Sequence, residues 1–87
     1  MSEYRAVFRS EAQAELRKIP KDMALRILAK LTELERDPLG FDTTALVSQP
    51  DRRRLRMGDY RVIYTIDNGE LVVWVVHVGH RSTVYDT

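Results

Sequence analysis

RRRLRMGDYRVIY, residues 52–64, carries the alternation of a β-hairpin. Arg52, Arg54 and Arg56 alternate with Arg53, Leu55 and Met57, Gly58-Asp59 supplies a two-residue turn, and Tyr60, Arg61, Val62, Ile63 and Tyr64 return as a β-branched and aromatic run. With Met57 paired to Tyr60, Arg56 falls opposite Arg61 and Arg54 opposite Ile63, while Leu55, Met57, Tyr60, Val62 and Tyr64 share the other face. One face can join a core; the other concentrates guanidinium groups. Like charges directly opposite destabilise a sheet, so Arg56 facing Arg61 makes most sense beneath a polyanion.

Working outward toward the C-terminus, Asp67-Asn68-Gly69-Glu70 is a second turn signal, with Asn68-Gly69 suited to type I′. Leu71 to Val78 is apolar on both faces apart from His77, the pattern of a strand with neighbours on both sides. Register carried through that turn pairs Tyr64 with Val73 and Val62 with Val75, and brings Trp74 near Ile63 and Val76 near Arg61. Gly79 ends the strand, and His80, Arg81, Tyr85 and Asp86 form a short tail.

Toward the N-terminus, residues 39–51 lose periodicity and read as an ordered loop anchored by Leu46 and Val47. Met23, Ile27, Leu31 and Leu34, widened by Ala24 and Leu28, form a helical stripe that ends at Asp37-Pro38. Ahead of it, Ser10 with Gln13 has capping-box spacing, and Ala12, Leu16 and Ile19 follow at helical intervals up to Pro20. Residues 3–9 alternate as a strand. The expected fold is therefore α+β, in the order β-α-α-β-β-β, with a helical hairpin packed on one face of a small, mostly antiparallel sheet. The second face would show Trp74, Ile63, Arg54 and Arg61, an apolar platform mixed with cations that suits a nucleic acid or a partner segment.

Eighty-seven residues suit a single domain with one modest core. The formal charge of +1 conceals a division, because acidic residues alternate with bases on the helices while Arg52, Arg53, Arg54, Arg56, Arg61 and Arg81 fall in the second half. There is no cysteine, so disulfides and thiolate metal sites are excluded. Two histidines and scattered carboxylates show no metal spacing, no Gly-rich phosphate loop or serine-nucleophile motif occurs, and neither metal nor cofactor is expected. No apolar run reaches membrane-spanning length and no signal-peptide core is present; a soluble, cytoplasmic protein without membrane contact is the expectation.

Taken together, this element order, GDYRVIY at 58–64 and VGHR at 78–81 followed by Tyr85 resemble the RelE branch of the RelE/ParE toxin superfamily over nearly the whole chain. The resemblance implies the toxin of a type II toxin–antitoxin pair: a ribosome-dependent messenger RNA endonuclease that cuts the codon in the ribosomal A site. It implies metal-independent attack of the 2′-hydroxyl on the neighbouring phosphate, leaving a 2′,3′-cyclic phosphate and a 5′-hydroxyl. By position, Arg61 matches the arginine that clamps the scissile phosphate, and Arg81 the second phosphate-site cation beside the leaving group. Tyr85 matches the C-terminal tyrosine, which orients or deprotonates the 2′-hydroxyl or stacks on a base. Arg52 and Arg54 stand where lysine is frequent, and arginine deprotonates far less readily, so both are expected to act electrostatically. Arg56 joins them in binding RNA or ribosome, and His80 occupies a lysine or histidine position suited to proton transfer near neutrality. The implied partners are a RelB-like antitoxin, messenger RNA, the ribosomal A site and, through the antitoxin complex alone, operator DNA.

On the residues alone, the arginine run reads equally well as an edge strand kept unpaired by charge. Tyr60 and Tyr64 read as core aromatics, His77 as a satisfied buried histidine, Trp74 as sheet filling and Arg53 as a surface charge. The alternatives are a ParE-like inhibitor of DNA gyrase on the same fold and a degenerate member that only binds its antitoxin.

Overall fold

A computed structural model describes residues 3–40, 42–47, 49 and 51–83. The elements in chain order are β1 (Arg5–Phe8), α1 (Ser10–Leu16), α2 (Lys21–Arg36), β2 (Thr43–Ala45), β3 (Arg52–Met57), β4 (Tyr60–Asp67) and β5 (Val72–His80). They form one five-stranded sheet in the order β1-β5-β4-β3-β2, parallel only where β1 meets β5. The α+β layout matches the sequence-based expectation, with one addition. Thr43–Ala45, read as loop, pairs antiparallel with β3 as an edge strand. Three residues without apolar alternation give that strand no signature of their own; β3 imposes it. Leu46 beyond it is buried against Ile63, whereas Val47, also read as an anchor, is 93% exposed.

Each helix boundary has a local cause. Ser10 lies inside α1 rather than capping it: Arg9 is the N-cap, with no side-chain bond, so the predicted capping box does not form. Arg9 supplies the first acceptor, taking the Gln13 N–H at 2.9 Å. In α2, Asp22 in the first turn and Arg36 in the last complement the helix dipole. Asp37, the residue before Pro38, leaves helical space at φ −147° and ends the helix.

Ile27, Leu31 and Leu34 of α2 and Ala12 of α1 pack on Leu55, Val62, Tyr64, Val73, Val75 and Val78, all from one sheet face. Burying each large aliphatic side chain stabilises by about 1.5–3 kcal/mol. Tyr64, fully buried, donates its hydroxyl to the Pro38 carbonyl at 2.6 Å and ties the end of α2 to the sheet. Two helical carboxylates occupy sheet edges. Glu35 takes the Ala6 N–H of β1 at 2.8 Å, and Glu15 takes the Val78 N–H of β5 at 3.0 Å, beyond the last β1 pair at Phe8. Both amides would otherwise invite pairing by another chain.

The β3–β4 register is the predicted one, with Met57 opposite Tyr60, Arg56 opposite Arg61 and Arg54 opposite Ile63. Gly58 takes φ +58° at the first turn position, the glycine requirement of a II′-type hairpin. The β4–β5 register departs from expectation. Asp67 pairs with Val72 and Tyr64 with Val75, so four residues rather than two make the connection. Asp67 Oδ1 accepts the Gly69 and Glu70 amides at 3.0 and 2.9 Å, and Leu71 turns the chain at φ +56°, so Asn68-Gly69 is not the predicted type I′ pair. A bulge then inserts Val76, placing His77 opposite Ile63, Val78 opposite Val62 and Gly79 opposite Arg61. The longer connection sets Trp74 opposite Thr65 rather than Ile63, and the bulge leaves Val76 without Arg61 as partner.

Candidate nucleic-acid interface

Strand alternation gives the sheet a second face, turned away from the helices. Across it run three cross-strand rows: Arg52, Thr65, Trp74 and Val7; Arg54, Ile63 and His77; Arg56, Arg61 and Gly79. The five strands contain Arg5, Arg52, Arg53, Arg54, Arg56 and Arg61 against a single carboxylate, Asp67, whose Oδ1 is taken by its own turn. The helices, by contrast, carry Glu11, Glu15, Asp22, Glu33 and Glu35 beside Lys21, Arg26, Lys30 and Arg36. Charge is segregated by layer, leaving the open face cationic.

Arg61 is the one charged side chain among the described residues that is buried, at 7% exposure. Its Nη1 donates to the carbonyls of Gly58 at 2.9 Å and Tyr60 at 3.1 Å, which fixes the guanidinium at the hairpin tip. Arg56 opposite it is exposed, and Arg52 and Arg54 are half-buried. Arg81 reaches the same tip from β5: its amide donates to the Asp59 carbonyl at 2.7 Å, and its Nε lies 3.6 Å from Asp59 Oδ1. That ion pair is more than half exposed, so its role is orientation rather than stability.

His80 is placed differently. It pairs with Tyr60, whose ring meets it edge-on at 5.6 Å, and the two line a cleft of about 400 Å³ with Glu15, Lys18, Ile19 and Thr83 on the helix-bearing side. It does not lie over the arginine rows. Ser82 N–H donates to His80 Nδ1 at 3.1 Å, so the neutral ring carries its proton on Nε2. His77, expected to be buried, is half-exposed, with Nδ1 3.5 Å from Glu15 Oε1. Arg53 faces the helix layer, opposite Tyr64, and donates to Thr43 Oγ1 at 2.9 Å. Tyr85 lies outside the described residues.

One contributor to the face escaped the sequence reading. The Arg9 guanidinium sits 4.2 Å from the centroid of the Trp74 ring. Its sequence signal was parity: Arg5, Val7 and Arg9 alternate with Ala6 and Phe8, and the latter two pack against the core.

Two helices on one side of a mixed sheet and an arginine-lined face on the other define a two-layer α+β protein with a cationic open surface. Residues 6–85 match the family model described as the ParE toxin of the type II toxin–antitoxin system parDE. Toxin RelG of Mycobacterium tuberculosis is 34% identical over 94% of this chain and 95% of its own length. The toxin–antitoxin complex RelBE2 of M. tuberculosis superposes with a TM-score of 0.81 at 27% identity, over 91% of this chain and 99% of the matched one. The archaeal RelE–RelB complex of Pyrococcus horikoshii OT3 gives 0.79 at 29% identity, over 94% and 99%. The chain belongs to the RelE/ParE superfamily of toxins from type II toxin–antitoxin systems.

Proposed function

We propose that this toxin is a metal-independent, ribosome-dependent messenger RNA endonuclease, held inactive by a RelB-like antitoxin that covers the arginine face. The observation that carries the reading is Arg61. A guanidinium held by two backbone carbonyls on an otherwise open face is a preorganised cation, with Arg56 across from it and Arg81 drawn to the same tip by Asp59. Cleavage by the 2′-hydroxyl builds negative charge on the phosphate oxygens. Preorganised cations stabilise that charge without reorganising during the reaction. Arg61 clamps the scissile phosphate, Arg81 stands at the leaving oxygen, and Arg52 and Arg54 hold flanking phosphates. Tyr85 orients or deprotonates the nucleophile, or stacks on a base. His80 stands at the rim, its Nδ1 accepting the Ser82 N–H, and its imidazole is the side chain placed for proton transfer from the other side of the sheet's end. Whole-chain similarity to a protein named RelG, and to structures of RelE-type toxins with RelB antitoxins, supports the reading and its antitoxin partner. Operator DNA is reached only through that antitoxin complex.

The test is to add the purified chain to ribosomes carrying a defined codon in the A site and map messenger RNA ends. We expect cuts on ribosomes and none on naked RNA, reduced about 100-fold or more in Arg61→Ala and strongly in Tyr85→Phe. The family model's ParE description favours a second reading, gyrase inhibition. Intact messenger RNA together with poisoned supercoiling in growth-arrested cells would establish that one instead.

A further inference from the structure

We infer that Trp74 and Arg9 form a base-stacking subsite for single-stranded RNA, a second anchor across the sheet from the phosphate-binding arginines. The inference rests on the RNA-binding part of the proposed function and extends it to the β1–β5 side of the face. Trp74 shares a cross-strand row with Arg52, two strands away. At about 4.8 Å per strand their backbones are about 10 Å apart, a span a short stretch of single strand can cover. Arg9 lies over the indole at 4.2 Å and is itself exposed, so the outer side of the pair is open to a further flat, electron-rich group. Ile63 in the next row is covered by Leu46, so the apolar surface on this part of the cationic face is that of the half-buried Trp74 and Val7 beside it. Phosphate alone needs only charge. A base needs both charge and a π surface.

The occupant follows from charge complementarity. The strand layer presents arginines with one internally occupied carboxylate, which suits a polyanion, and the aromatic platform distinguishes a nucleic acid from a simple anion. Alternatively, Arg9 merely pins the end of β1 onto β5, and the pair has no ligand. An acidic peptide segment in place of RNA is the rival occupant that the experiment separates from it.

Trp74 is the only tryptophan in the chain, so its emission reports this subsite alone. A fluorescein-labelled single-stranded RNA hexamer is titrated with the purified toxin, following binding by anisotropy and, with unlabelled hexamer, the emission of Trp74. Inorganic polyphosphate and a poly-glutamate peptide serve as base-free anions. We expect the RNA to quench Trp74 and polyphosphate to bind without quenching. We further expect Trp74→Ala and Arg9→Ala to weaken RNA binding about tenfold, with Trp74→Phe intermediate and circular dichroism unchanged. RNA that binds without perturbing Trp74, quenching equalled by polyphosphate, or no RNA binding at all would overturn the subsite. So would a Trp74 response confined to poly-glutamate. Cleavage on programmed ribosomes is scored separately: quenching without cleavage would leave the subsite standing and sink the endonuclease, and cleavage without quenching would do the reverse.

Discussion

Removing the hydroxyl of Tyr64 isolates one hydrogen bond that joins the two layers. Tyr64 is fully buried in the sheet centre, and its hydroxyl meets the carbonyl of buried Pro38 at 2.6 Å, just past the end of α2. Tyr64→Phe keeps the ring and its packing, so little cavity opens; what changes is that a buried carbonyl loses its donor. An unsatisfied buried acceptor costs about 1–3 kcal/mol. Taking about 2 kcal/mol, and about 4–8 °C per kcal/mol for a domain of this size, the thermal midpoint should fall by about 8–16 °C. Urea unfolding should show a lower midpoint with an unchanged slope, since the buried surface is the same. Because the hydroxyl lies on the helix side, RNA cleavage well below the new midpoint should match the parent. A midpoint within about 2 °C of the parent, which is less than about 0.5 kcal/mol, would refute the claim that this bond holds the α2 exit to the sheet.

Gly58→Ala should destabilise by about 1–2 kcal/mol in urea titration purely through its positive-φ backbone, since no atom lies within 4 Å of the added methyl. Glu35→Ala should cost about 1.5–3 kcal/mol by stripping the Ala6 amide of its charged acceptor, and Glu35→Gln less, with faster hydrogen exchange at Ala6 as the local readout. Raising salt from 50 to 200 mM should weaken RNA binding steeply, and Arg54→Ala should flatten the slope of log K against log salt by about 0.7, the single-strand value for one phosphate contact.

What could be read in advance follows the range of the forces involved. The arginine hairpin was legible to the residue because its turn is two residues long and its alternation has period two, so an apolar face and a turn fix the register together. The next hairpin was misread because Asn68-Gly69 is only a preference, whereas Asp67 can capture two amides and extend the loop. That error was two residues, which preserves the faces. The Val76 bulge was invisible for a different reason. Val75, Val76 and Val78 are interchangeable to a pattern search, and the extra residue is decided by what β4 and the helices offer. The bulge sets the phase of His80, so its seat beside Tyr60 on the helix side could not be anticipated. Arg9 over Trp74 is likewise a contact between residues 65 positions apart, created only by parallel pairing of β1 with β5.

That parallel pairing also governs when the molecule can exist. Arg5 has no strand neighbour until Val72 has been synthesised, and among the described residues β5 is the only strand that β1 pairs with. The helices and the arginine hairpin are local and can form as they emerge, but the sheet they rest on stays split until Val72–Val75 arrive. Until then β1 is tied to the hairpin only through the helices, by contacts such as the Glu35–Ala6 bond. The Arg9–Trp74 pair and the continuous cationic surface therefore form only once β5 has emerged, later than the arginine hairpin itself.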